Sequence, residues 1–264
     1  MSSITTDQGT LHYEVYGRGK PVILLHGWLG SWGLWQQTMT YLGRYYRMYA
    51  LDFWGFGDSG SKRSTYAVQD FVSLVNQFMD QLGIENSPLV GHSMGGTVSL
   101  SFSLSFPEKV NKVVVIGSPI VGSSLALPLK LAGYRWIAAW LFNYMGIFRF
   151  GMKIASPLIC KDKNFPQMMD RDLTRTTVES FLTSIASLRK IDLRSNLDTV
   201  KVPVLGMYGK RDIIVRPDQW KVLKEYLPSS QFELFPNAGH FIMLEEPERF
   251  YESLKLFLDT PLGQ

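Results

Sequence analysis

Apolar residues recur along this chain with two periods, one suited to strands and one to helices with a single buried face. Pro21-Val22-Ile23-Leu24-Leu25 and Val110–Ile116 are continuous or nearly continuous apolar runs, the pattern of strands buried on both sides. Thr10–Gly17 alternates Leu11, Tyr13 and Val15 with polar partners and predicts an opening strand, turned by Gly17-Arg18-Gly19. Arg47–Leu51, Ser87–Val90, Val202–Tyr208 and Gln231–Phe235 complete the strand set. Between them, an aromatic-rich segment through Trp35 leads into a helix ending near Leu42-Gly43. From about Val68, Phe71, Val72, Val75, Phe78, Met79 and Leu82 share one helical face closed by Gly83. Further helices are predicted near Pro217–Tyr226 and from Pro247 to about Leu258.

One stretch sets its local pattern against its surroundings. Val98–Phe106 alternates apolar residues with serine at period two and, read alone, is a strand. It comes after Val90-Gly91-His92-Ser93-Met94-Gly95-Gly96, whose Gly-x-Ser-x-Gly core fits a sharp strand-to-helix turn with small residues two places either side of the serine. A helix is therefore predicted there, stopped by Pro107.

From about Ile120 to Val200 the alternation of strands and helices ceases. Leu125–Phe150 is rich in Leu, Trp, Phe and Tyr, and Trp136–Phe148 is nearly unbroken apolar. That run is shorter than the roughly 20 residues a bilayer span needs. Arg171–Arg194 reads as a more polar helical return. The plan is one α/β domain, residues 1–119 and 200–264, interrupted by a helical cap over 120–199.

Composition narrows the chemistry. The 264 residues are 45% hydrophobic and 19% charged, and 27 basic against 23 acidic residues leave a net charge of only +4. Such a balance does not argue for a nucleic-acid binder, which normally needs a concentrated basic stripe. Met1–Asp7 lacks a basic region followed by an apolar core, so no signal peptide is expected and a cytoplasmic setting is the default. A single cysteine, Cys160, cannot form an intramolecular disulfide and is expected in a buried or partly buried cap position. Four scattered histidines predict no metal. Gly55-Phe56-Gly57-Asp58-Ser59-Gly60 matches the dinucleotide-binding pattern in form only. That loop needs its third glycine inside the phosphate-binding helix, and here Ser61–Thr65 still intervenes. No cofactor is expected.

The turn at Ser93 gains meaning from residues placed just after other strands. Asp212 lies beyond the end of Pro203–Tyr208, and His240 beyond the end of Gln231–Phe235. In a parallel sheet the loops at the C-terminal strand ends share one edge, so Ser93, Asp212 and His240 can converge. A serine hydroxyl needs an imidazole to take its proton, and the imidazole needs a carboxylate to fix its tautomer. The loop His26-Gly27-Trp28 after the second buried strand offers the Trp28 N–H as one oxyanion donor, and Met94 N–H offers the other. The alternative for Asp212 is a surface salt bridge with Arg211 or Arg216. His26 is expected to hydrogen-bond within its own loop, His92 to pack at the turn and His12 to lie on the strand surface. Asp52 and Asp58 are expected to hold the turn of their loop.

Taken together these stretches resemble the α/β-hydrolases of the esterase, lipase and haloperoxidase-like group. The matching residues are His26-Gly27, Asp52-x-x-Gly55-x-Gly57-x-Ser59, Gly91-x-Ser93-x-Gly95-Gly96, Gly209-x-x-Asp212 and Gly239-His240-Phe241. The Trp28 position and the loop layout also resemble the pimeloyl-ester carboxylesterases. Relatives with an aspartate nucleophile are disfavoured by the serine at 93. Those with the acid after an earlier strand are disfavoured by Gly117-Ser118-Pro119, which has no carboxylate. The resemblance implies a mostly parallel sheet with helices on both faces and a cap inserted after the sixth strand. It also implies hydrolysis of carboxylic esters, with apolar acyl or lipid-like groups expected, through an acyl-enzyme on Ser93. Gly27, Gly91 and Gly95 would then shape the site with His26. The same residues serve C–C hydrolysis, lyase and perhydrolase or haloperoxidase-type chemistry, or a slow-turnover ligand-binding receptor. The cap is expected to be a lid with its own small core. The aromatic and basic stretch between Pro119 and Lys161, which has no acidic residue, adds an expected contact with membrane lipid.

Overall fold

The computed structural model describes residues 2–60, 65–134, 136–137 and 143–261. Residues 61–64 after the glycine-rich loop and 138–142 of the apolar run lie outside that description. Eight strands form one sheet: β1 (Ser2–Thr5), β2 (Thr10–Tyr16), β3 (Pro21–Leu25), β4 (Arg47–Leu51), β5 (Ser87–His92), β6 (Val110–Ile116), β7 (Val204–Gly209) and β8 (Gln231–Phe235). Their spatial order is β1-β2-β4-β3-β5-β6-β7-β8. β1 and β2 run antiparallel to their neighbours, and every pairing from β4–β3 to β7–β8 is parallel.

Period-two burial divides the core into two layers. Ile23 and Leu25 of β3, with Val113 and Val115 of β6, face one cluster; Val22, Leu24, Val114 and Ile116 face the other. The first layer is covered by α2 (Val68–Leu82) and α3 (Met94–Ser105), the second by α1 (Gln36–Leu42) and the closing helix Pro247–Asp259. Lys112 interrupts the apolar run of β6, yet it is buried because its ammonium donates to the carbonyls of Phe257 (2.7 Å) and Leu258 (2.8 Å) at the end of that closing helix.

α3 resolves the conflict of periods in favour of the turn. Met94–Ser103 is buried on every side, because the helix packs against β5, β6 and α2 together. A helix buried all round shows no apolar stripe. Two of its serines return their hydroxyls to the backbone, Ser99 to Gly95 O at 2.9 Å and Ser103 to Leu100 O at 2.8 Å.

The chain leaves β3 for β4 on one side and crosses back to β5 on the other. The strand order therefore reverses between β3 and β5, the crevice where open α/β sheets bind ligands. Between β6 and β7 the chain is helical: α4 (Leu127–Ala132), α5 (Met145–Ile159), α6 (Phe165–Thr174) and α7 (Val178–Leu188). The single helical return expected over Arg171–Arg194 is two helices. Thr177 caps α7 by accepting from Ser180 N–H at 3.1 Å, and this ends the continuity at Arg175–Thr177. α8 (Gln219–Tyr226), the short α9 (Ile242–Glu245) and α10 (Pro247–Asp259) complete the fold. No helix among the described residues is long and apolar enough to cross a membrane.

Candidate active site

Ser93 occupies the point between β5 and α3 with φ 51° and ψ −117°, a backbone region that non-glycine residues rarely enter. The turn closes only because its flanks lack side chains. A Cβ on Gly91 would stand 2.2 Å from Gly95 O, and one on Gly95 would stand 2.3 Å from Leu25 O of the neighbouring strand. The serine N–H is tied to Ile116 O at 2.7 Å, which pins the turn to β6.

The two other residues expected beside Ser93 are already joined. His240 Nδ1 and Asp212 Oδ2 are 2.7 Å apart, and both side chains are almost fully buried. The other oxygen of Asp212 accepts the N–H groups of Ile214 (2.8 Å) and Val215 (2.9 Å), so the carboxylate is held from both ends. The salt-bridge alternative falls away, because Arg211 bonds Asn237 and Arg216 pairs with Asp218. Gly117, at the end of β6, makes room for this pair. Its φ is +54°, and a Cβ there would stand 3.1 Å from His240 Nδ1 and 3.4 Å from Asp212 Oδ2. In the sequence Gly117 is notable only for lacking a carboxylate; its role depends on the groups that face it.

His240 and Ser93 line one pocket enclosing about 750 Å³ of empty space, its open mouth included. Trp28, Leu29 and Leu34 contribute its walls from the loop after β3, and Met152, Ile159 and Phe165 contribute from the helices between β6 and β7. The Gly27–Trp28 loop lies directly against the serine, since a Cβ on Gly27 would stand 3.1 Å from Ser93 Cβ. Neither Trp28 N–H nor Met94 N–H is spent on an acceptor among the described residues. Met94 opens α3, whose dipole adds positive potential at that end.

The remaining histidines take distinct places. His26 Nδ1–H donates to Gly27 O at 2.7 Å, and its Nε2 accepts the Phe53 N–H at 2.9 Å. It is thus a neutral bracket that shapes its own loop, and burial lowers its pKa accordingly. His92 is more than turn packing: its Nε2–H donates to His240 O at 3.0 Å and its ring meets the His240 ring edge-on at 4.6 Å. Burial holds its pKa well below 6.5, so it steadies the His240 loop as a neutral ring. His12 corrects the expectation of a strand-surface position. It is buried because the loop after β4 folds over it, with Ser59 Oγ accepting its N–H at 2.8 Å and Asp52 Oδ2 meeting its Nδ1 at 2.8 Å.

That loop also gathers the one group of possible metal ligands among the described residues. Atoms of His12, Asp52 and Asp58 lie within 4.8 Å of one another, a proximity that scattered sequence positions did not announce. Several of their atoms already hold other bonds. Asp52 accepts from Trp32 N–H (2.6 Å) and Asp58 N–H (2.8 Å) besides His12, and Asp58 pairs with Arg175 at 2.6 Å. Both aspartates hold their loop, and Asp58 also ties it to the end of α6. Cys160 is buried, and burial pushes its thiol up to about 12.

Asp172 of α6 is the functional candidate that sequence reading missed. It lines the same pocket at 2% exposure, with Ser31 Oγ donating to its Oδ1 at 2.9 Å. Burial raises its carboxyl to about 6 against the opposing pull of Arg171. The unfolded chain would hold it near 3.9, so folding binds a proton more tightly between about pH 4 and 6. The native state therefore loses stability as pH rises through that window. Asp172→Asn removes the effect while keeping an acceptor for Ser31. Relative to the parent, the variant should gain up to about 3 kcal/mol between pH 4 and 7.5. Urea midpoints across that range measure it; a pH-independent difference would show that the carboxyl titrates normally.

Comparisons with known proteins agree with this fold. A family model described as alpha/beta hydrolase fold matches residues 20–247. The chain is 28% identical to the 2-hydroxy-6-oxononadienedioate/2-hydroxy-6-oxononatrienedioate hydrolase of Paraburkholderia phymatum, over 94% of this chain and 90% of that protein. It is 26% identical to the pimeloyl-[acyl-carrier protein] methyl ester esterase of Vibrio campbellii, over 94% of this chain and 98% of that protein. Among solved structures, an esterase from Exiguobacterium antarcticum superposes with a TM-score of 0.85 at 23% identity, covering 97% of this chain and 98% of its own. The reversal between β3 and β5, the turn at Ser93 and a family match over most of the sequence lead to one assignment: the chain belongs to the alpha/beta hydrolase family.

Proposed function

We propose that this hydrolase cleaves carboxylic esters of apolar groups through an acyl-enzyme on Ser93, with helices α4–α7 serving as a cap over the pocket. The observation that carries the reading is the Asp212–His240 bond. It commits His240 Nδ1 as a donor and leaves Nε2 basic, on the lining of the pocket that holds Ser93. Ser93 Oγ attacks the ester carbonyl and passes its proton to His240 Nε2. The N–H groups of Trp28 and Met94 receive the oxyanion. The tetrahedral adduct collapses as His240 protonates the departing alcohol. Water, activated by the same imidazole, then frees the acid and restores Ser93.

The C–C reading draws on the Paraburkholderia relative, whose name describes a substrate with two carboxylates. The pocket lining argues against such a substrate here. Among the described residues it has no lysine or arginine, and its one carboxylate is Asp172. A dianion would be desolvated there without a partner. The ester reading suits that apolar lining, and the Vibrio relative named as a methyl ester esterase supports it.

The test is a series of p-nitrophenyl esters of graded acyl length alongside a 2-hydroxy-6-oxo-dienedioate. Many turnovers on the neutral esters and none on the dienedioate are expected. A stoichiometric burst without turnover would instead favour a receptor, and faster cleavage of the dienedioate would replace the ester reading with C–C hydrolysis.

A further inference from the structure

The outer face of α5 has no partner among the described residues. Ile147, Phe150, Ile154 and Leu158 succeed one another at spacings of three, four and four, so they form one stripe along the helix. All four are largely open to solvent, 66%, 67%, 65% and 78% exposed. A contiguous stripe of large apolar side chains differs from the single exposed leucines common on any surface. The opposite face of the same helix is occupied, for Met152 and Ile159 line the pocket that holds Ser93. One helix thickness thus separates the exposed stripe from the candidate active site.

The segment of chain that contains this stripe is basic. Residues 120–170 contain six lysines and arginines against two aspartates. The 27 basic and 23 acidic residues of the whole chain leave 21 of each outside that segment, so the segment carries the entire net charge. Arg149 is spent on Asp170, bonded through two nitrogens at 2.7 Å each. Lys153, on the same helix, is exposed. An apolar stripe on a helix flanked by net positive charge has the chemistry of an interfacial helix, which sinks its apolar side to the headgroup boundary while basic residues meet anionic lipid.

We propose that the α5 stripe seats this protein on the surface of an anionic lipid bilayer, with Ile147, Phe150, Ile154 and Leu158 entering the headgroup boundary. This inference does not depend on which bond the active site cleaves. Seated in this way, the helix presents its inner face to the pocket and its outer face to lipid.

Co-sedimentation of the full chain with two kinds of vesicle tests the proposal. Vesicles of phosphatidylcholine with about 30% phosphatidylglycerol should bind at low salt at least tenfold more protein than pure phosphatidylcholine, and high salt should reduce that binding. The double variant Ile154→Glu, Leu158→Glu changes solvent-facing positions, and unchanged circular dichroism and thermal unfolding would show that it folds. It should lose at least tenfold in binding to the anionic vesicles. Lys153→Glu, which leaves the stripe intact, should weaken the same binding severalfold. No sedimentation with anionic vesicles at low salt would overturn the proposal, as would folded variants that bind like the parent. A concentration-dependent dimer in light scattering, abolished by the double variant, would also overturn it by assigning the stripe to a second copy of this chain.

Discussion

Ser93→Ala should lower kcat on p-nitrophenyl esters by about 10⁵-fold or more and abolish labelling by a fluorophosphonate, while the thermal unfolding curve stays in place or moves upward. The loss is large because no other hydroxyl can take over the attack. Ser93 alone stands at the tip of the turn, fixed by Gly91, Gly95 and the bond to Ile116 O. Stability is expected to hold because alanine omits only an oxygen and relieves none of the packing around the turn. On the proposed mechanism, the positive φ at this position serves exposure of the attacking hydroxyl rather than cohesion of the fold. Residual activity near a thousandth of the parent would mean that another nucleophile or a directly activated water does the work.

Asp212→Asn should cost about 10⁴-fold in kcat at neutral pH with little change in fold. The reasoning is one of hydrogen-bond direction. Asp212 accepts three bonds, from Ile214 N–H, Val215 N–H and His240 Nδ1–H. An asparagine satisfies the two backbone donors only by turning its carbonyl oxygen toward them. Its NH₂ then faces His240, whose Nδ1 must become the acceptor, and the ring proton moves to Nε2. An imidazole protonated there cannot accept the proton of Ser93. The reverse rotamer aims NH₂ at two N–H groups and leaves those buried donors opposed. Kinetics on a single ester, with circular dichroism as the check on folding, measure the effect. A loss under tenfold would reduce Asp212 to a structural anchor.

Much of this site was legible in the sequence because its parts are local. A strand buried on both faces needs an unbroken apolar run, and a turn as tight as that at Ser93 needs glycines two positions away. Both demands act over a few residues. The loops bearing Asp212 and His240 come after β7, buried along its length, and the edge strand β8, and the fold places them together as parallel pairing requires. The features that escaped the sequence depend on distant partners. β1 is four residues with alternate intermediate and exposed positions, and its strand identity comes from pairing with β2. His12 is buried by Asp52 and Ser59, forty and more residues away. Asp172 sits in an ordinary polar helix until α6 is laid against Ser31. The break before α7 was closer to hand, since Thr177 with Ser180 three positions on is a local capping signal that the helical pattern around it obscured.

Trp28 gives the arrangement a practical consequence. Its backbone N–H belongs to the loop against Ser93, while its indole Nε1–H donates to Phe181 O in α7 at 3.2 Å and its ring packs on the Phe181 ring at 4.7 Å. One residue is thereby shared between the loop proposed to hold the oxyanion and the helices that shape the pocket. Anyone grafting a foreign helical segment onto this scaffold to change its substrate range will disturb that anchor along with the walls. A chimera that keeps the backbone course of α7 around Phe181, and varies α4 to α6 alone, preserves the hook that sets the donor loop.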